Sequence, residues 1–225
     1  MKKIVLNPLN VINVFLFLGI IFLNSIFSHA TMYNGVEFPD GENSFADEVA
    51  EYTPGSYVSD PYKDSSRSLG VPDSKYTSLG NYGTLILKFT NNALTTSGDG
   101  ELDLYIFESG NGTEKIDVSI SSNGVDWIEV GRVTDGLTGI DIDAYTNNGV
   151  VLGALYSYVL LKDVGNDFYT GAYAGADINA VGAISSSPPD DDDDVDNDDD
   201  DGGGCFIKNI QSFNIISLLL ELMNW

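Results

Sequence analysis

The chain has 225 residues and a formal net charge of −24, with 34 acidic residues against 10 lysines and arginines. Residues 31–189 alone carry 23 acidic and 7 basic side chains, a surface that repels phosphate backbones and argues against nucleic acid as a partner. The one cysteine is Cys205 and the one histidine is His29. That excludes an intrachain disulfide and, after residue 30, catalysis by histidine-dependent triads or dyads and ordinary zinc sites.

At the start of the chain, Lys2 and Lys3 precede an apolar run over residues 11–27 that ends in Ser28-His29-Ala30. This is the layout of a secretory signal peptide cleaved after Ala30, and it predicts a secreted or cell-surface protein. The alternative is an uncleaved membrane anchor, against which Asn13 and Asn24 interrupt the run. Residues 31–185 are then long enough for one domain with its own core.

Phe38-Pro39-Asp40-Gly41 is a turn signal, and residues 45–49 lead into an edge strand. Residues 53–79 hold Pro54, Pro61 and Pro72 among Gly, Ser, Tyr and Asp. They read as a long loop, the kind of segment that often carries function. Residues 83–90 (GTLILKFT) read as a central strand. The stretch 100–131 reads as three strands in succession. In the first, Leu102, Leu104 and Ile106 alternate with Asp103, Tyr105 and Phe107 up to Glu108. In the second, Ile116, Val118 and Ile120 alternate with polar residues, the period expected when one face is buried. Asn123-Gly124 supplies a tight hairpin, and residues 125–131 return as the third strand, with Trp127 in the core. Residues 139–144, 156–162 and 176–184 read as further strands. About eight short strands, turn-rich connections and no amphipathic helix predict an all-β fold, a single jelly-roll β-sandwich.

Residues 186–204 read as a linker. The ten aspartates within 190–201 repel one another and keep it extended. Asn197, Asp199, Asp201 and Gly202 imitate the start of an EF-hand loop. Position one is Asn, however, and Lys208 stands where the bidentate Glu belongs, so the loop fails as a calcium site. Residues 205–225 are a short apolar tail, too interrupted for a membrane span.

Several blocks resemble a known module: Leu69-Gly70-Val71-Pro72-Asp73, Ser78-Leu79-Gly80, Asp103 to Glu108, Ser122-Asn123-Gly124-Val125-Asp126-Trp127, and Gly175 to Val181. Together they resemble the surface domains of PEP-CTERM-type exported bacterial proteins, within the galactose-binding-like jelly-roll superfamily of discoidin domains and carbohydrate-binding modules. Asn123 and Asn179 stand where such domains more often carry Asp. The resemblance implies a glycan or other extracellular ligand and one structural calcium near the first and last strands, which favours Asp47 and Asp177. Residues 202–207 are similar to the Gly-rich, Cys-Phe-Ile start of a bacterial sorting tail. That likeness implies processing or attachment at Cys205 and anchoring to the envelope or membrane.

Asp40, Asp47, Asp73, Asp103, Glu108, Asp141, Asp143 and Asp177 fall near strand ends or in loops, where carboxylates can meet calcium's demand for six to eight oxygens. Asp47, Asp177, Asp103 and Glu108 are the candidate ligands; the competing role is turn capping on a solvated face. Tyr57, Tyr62, Tyr76, Tyr82, Tyr169 and Tyr173 fall in loops, where their rings can stack on sugars or pack the loops onto the sandwich. The expectation is a non-catalytic surface module for glycan or another extracellular ligand. A matrix protein without a small ligand and a carboxylate-based hydrolase are the alternatives.

Overall fold

The computed structural model describes residues 30–109, 114–134, 138–165 and 169–188. Residues 1–29, where a signal peptide is expected, the acidic run and the tail with Cys205 lie outside these residues. Ala30 is described and is exposed. The strands are β1 (Thr31–Tyr33), β2 (Val36–Phe38), β3 (Glu48–Thr53), β4 (Thr77–Ser78), β5 (Thr84–Lys88), β6 (Ala93–Leu94), β7 (Leu104–Glu108), β8 (Ile116–Ser121), β9 (Ile128–Val133), β10 (Gly139–Ile140), β11 (Tyr158–Asp163), β12 (Asp177–Ala183) and β13 (Ser186–Ser187). Short 3₁₀ turns cover Gly41–Ser44, Ser65–Ser68 and Ile142–Asn148.

The fold is an all-β sandwich of two antiparallel sheets. One sheet runs β3-β5-β11-β8-β9 and the other β10-β7-β12-β4. β3 is an edge strand and β5 an interior one, as the sequence indicates. Leu85 and Leu87 of β5, Val118 and Ile120 of β8, and Val159 and Leu161 of β11 face Leu104, Ile106, Ile178 and Val181 from the other sheet in one core. The period of two in β8 and β11 follows from this one-sided burial.

The four-stranded sheet is covered on its second face as well. Phe38, Phe45, Phe107 and Ala180 form a smaller cluster there, with Tyr33 and Val36 of the β1–β2 hairpin packed on it. All seven residues of β12 are therefore buried. Phe107, which alternates with the core residues Leu104 and Ile106, is buried on this second face with its ring 5.8 Å from that of Phe38.

Three expectations need correction. The hairpin after β8 is not a two-residue turn. The connection spans residues 122–127 and is organised by the Asn123 carboxamide, whose Oδ1 accepts from the Val125 and Asp126 amides at 2.9 Å. Only Gly124 of the pair has positive φ (74°). β9 consequently starts at Ile128, and Trp127 is half-buried on the loop rather than in the core. The strand expected over residues 139–144 stops at Ile140, and the chain coils into the 3₁₀ turn Ile142–Asn148, with Ile142 still fully buried. At the far end, Ser186–Ser187 does not belong to a linker: it pairs with Ala93–Leu94.

Candidate functional site

Backbone bridges gather three loops at one end of the sandwich. Ser56 and Asn81 exchange two hydrogen bonds of 3.1 Å, and Ser59 N–H donates to Ala172 C=O at 2.9 Å. Gly55 N–H donates to Leu79 C=O, and Gly80 N–H to Ala174 C=O, both at 2.8 Å. The approach is close enough that a Cβ on Gly80 would meet the Gly55 backbone at 2.8 Å, and Gly80 has a φ of +73° besides. Only glycine suits both conditions.

These loops carry the six tyrosines named from the sequence. Four form a continuous ring cluster. Tyr62 and Tyr76 are stacked at 5.4 Å and 15°, Tyr62 meets Tyr173 edge-on at 5.5 Å, and Tyr173 lies 4.7 Å from Tyr169. Tyr62 and Tyr76 are half-buried, whereas Tyr169 and Tyr173 are each 43% exposed. Tyr57 and Tyr82 stand apart from this cluster on the bridged segments, 57% and 66% exposed. Both hold left-handed backbone, with φ of 67° and 65°, a conformation that costs about 1–3 kcal/mol in a non-glycine residue. Burial and the neighbouring Asp177 push the Tyr76 hydroxyl up to about 12. The hydrogen bond with Tyr173 leads the causes that do the same to Tyr169. Both phenols stay protonated at ordinary pH and can donate.

A buried carboxylate that the sequence reading passed over pins this end. Asp163, 1% exposed, accepts from Tyr82 N–H at 2.9 Å and Gly165 N–H at 2.8 Å through Oδ1, and from Ala176 N–H at 3.1 Å through Oδ2. One side chain thus ties the 82, 165 and 176 positions together. Its only sequence signal is an aspartate at a strand end followed by Val164-Gly165. Asn179 is a second such device. Its Nδ2 donates to Asp73 C=O at 2.5 Å and Lys75 C=O at 2.6 Å, and its Oδ1 accepts from Asp73 N–H at 3.0 Å. Where the resemblance would have an acidic ligand, this chain has a backbone clamp.

The four expected calcium ligands do not come together. Asp47 caps Thr90, accepting from its N–H at 3.1 Å and from its hydroxyl. Its own amide donates to Lys88 C=O at one end of β5. Asp177 lies near the other end: Gly83 C=O accepts from Asp163 N–H, and the Asp163 carboxylate holds Ala176, the neighbour of Asp177. Asp177 and Glu108 are close to each other, since Ile178 pairs with Glu108 across β12 and β7. Asp177 accepts from the Ser78 hydroxyl. Burial, opposed by that hydrogen bond, pushes its carboxyl up to about 7. Burial first and Glu114 second raise Glu108 well above the usual range. Glu108 Oε1 is buried and has no hydrogen-bond partner among the described residues.

Asp103 sits at the opposite end of β7 and belongs to a different group. Carboxylate oxygens of Asp103, Asp141 and Asp143 lie within 4.8 Å of one another. Asp103 is fully buried and accepts from Ser97 N–H at 2.8 Å and Ile142 N–H at 2.9 Å; burial raises its pKa. Asp143 accepts from Gly98 N–H at 3.1 Å. Asp141 Oδ1 is buried with no partner among the described residues. Three carboxylates, one of them with an oxygen that has no donor among the described residues, suit a hard oxygen-seeking cation. Asp141 and Asp143 were among the eight acids singled out above, but their company with Asp103 comes from the 3₁₀ turn, which the sequence read as strand.

Comparison of the chain with models of known protein families gives no match, and comparison with curated proteins gives none either.

Proposed function

We propose that the domain is a non-catalytic module that acts outside the cell and binds glycan through the cluster of Tyr62, Tyr76, Tyr169 and Tyr173. The observation that carries this reading is the cluster itself: two half-buried rings support two exposed ones at a loop-rich end. Sugar rings present apolar C–H faces that lie well on such aromatic surfaces, and their hydroxyls suit phenols as partners. The resemblance to galactose-binding-like jelly rolls and the leader-like start of the chain support the same reading. A glycan array probed with the full chain should show selective signals that weaken in Tyr173→Ala. Uniform blanks would favour a matrix role instead. Release of reducing ends by the wild-type protein, lost in Glu108→Gln, would favour hydrolysis by the buried acid pair.

Calcium enters as a structural partner. The orphaned Asp141 Oδ1 supports a site on Asp103, Asp141 and Asp143 rather than on Asp47 and Asp177. Bound only by the folded state, the ion would add about 2.7 kcal/mol at a hundredfold excess over Kd. Melting temperature should therefore rise in calcium over chelator, and Asp141→Asn should remove most of the rise.

A further inference from the structure

Beside the tyrosine cluster lies a cleft of about 290 Å³ lined by Asp64, Ser66, Arg67, Leu69, Asp73 and Lys75. Its two sides are the 3₁₀ turn Ser65–Ser68 and the turn clamped by Asn179. The ring stack is contiguous with it in the chain. Tyr62 precedes Lys63 and Asp64, Tyr76 follows Lys75, and Thr77 Oγ1 donates to Asp64 C=O at 2.8 Å.

From this arrangement we infer that the cleft takes a carboxylate-bearing sugar unit, a uronate, of the same glycan that stacks on the tyrosines. The inference rests on the proposed function and names its ligand class.

Of the 7 basic residues in 31–189, Lys63, Arg67 and Lys75 fall within residues 63–75, in a domain with 23 acidic ones. Cations are concentrated here against the general trend of the surface. The acids of the cleft are consumed locally. Asp64 Oδ1 accepts from Ser66 N–H at 3.2 Å and from the Ser66 hydroxyl at 2.6 Å, and Asp73 Oδ1 accepts from Lys75 N–H at 2.6 Å. These local bonds lower Asp64, the Ser66 hydroxyl first, so it stays ionised and acceptor-only. The cations are engaged more loosely: Arg67 Nε lies 3.5 Å from Asp64 and Lys75 Nζ 3.4 Å from Asp73. Arginine offers five N–H donors and lysine three, more than one carboxylate each can absorb. A guanidinium is also the group that meets a carboxylate through two parallel bonds. The two aspartates therefore orient the cations, and the donors that remain suit an incoming anion of sugar size.

The test is calorimetric titration of the full chain with matched hexasaccharides: galacturonate, glucuronate and mannuronate oligomers against galactose, glucose and mannose oligomers. At least one uronate hexamer should bind about tenfold more tightly than its neutral counterpart. That margin should shrink between about 0.02 and 0.5 M NaCl, as the charges are screened. Arg67→Gln and Lys75→Gln, both at exposed or half-exposed side chains, should abolish the margin while leaving neutral binding and melting temperature unchanged. Tyr173→Ala should weaken both series. Equal binding of acidic and neutral oligomers, or a margin that survives Arg67→Gln and Lys75→Gln, would overturn the uronate assignment and leave the glycan reading standing. No binding in either series would overturn both.

Discussion

Single side chains do much of the shaping at the loop end. Asn179 is the clearest case, because it satisfies two carbonyls and one amide of the turn that presents Asp73, Lys75 and Tyr76. Asn179→Asp would set a carboxylate against two carbonyl oxygens, leaving three acceptors without a donor where two N–H bonds now stand. Each half-buried group so orphaned costs about 1–3 kcal/mol. Urea unfolding should show a loss of about 2–4 kcal/mol for Asn179→Asp, and a midpoint equal to wild type would show that the clamp does not fix this turn. The residue was visible in the sequence only as a departure from a more usual aspartate. Its partners lie more than a hundred positions earlier, and no local pattern encodes a contact at that separation. Asp163 was missed because its bonds to Tyr82 and Ala176 join segments 81 and 13 positions away.

At the scale of elements, β7 separates two groups of acids, with Asp103 at its start and Glu108 at its end. The strands themselves were legible. β5, β8 and β11 bury one face against one core, and their alternation is plain. β7 and β12 are buried on both faces, and the covering hairpin β1–β2 is too short for its pattern to announce it. The 3₁₀ turn Ile142–Asn148 was misread because Ile140 and Ile142 are both buried, which a strand would also explain. That misreading dispersed the Asp103, Asp141 and Asp143 group. The other group yields a pH prediction. Asp177 is pushed up to about 7 in the fold, from about 3.9 in an unfolded chain. The folded state holds this proton more tightly, so its contribution to stability is full below about pH 4 and is lost as pH rises through about 7. Glu108, raised by burial and Glu114, extends the decline upward. Asp177→Asn removes the titrating group and keeps a polar side chain facing the Ser78 hydroxyl. Chemical denaturation from pH 4 to 8 should show a shallower fall in stability for Asp177→Asn than for wild type. Parallel curves would mean that Asp177 titrates normally.

Over the whole molecule, the sandwich acts as a rigid mount whose loop end is fixed by backbone bridges and buried side chains. The class of fold followed from strand count and periodicity, and the tyrosines were named correctly as loop residues. Which of them meet was not legible, because it depends on the Ser56–Asn81 and Val58–Tyr173 bridges between segments far apart in sequence. Tyr57 and Tyr82 consequently stand apart from the four-ring cluster. The central claim is that these four rings bind sugar, and the most direct measurement is the affinity of the Tyr169→Ala/Tyr173→Ala double variant for the best array ligand. Both rings are 43% exposed, so the variant should keep its melting temperature. Each lost ring should remove about 0.5–1.5 kcal/mol of contact, so affinity should fall about fivefold to a hundredfold. Val125→Ala, which trims an apolar residue 75% exposed on the 122–127 loop, should bind as wild type does. A double variant that binds as tightly as wild type would contradict the account.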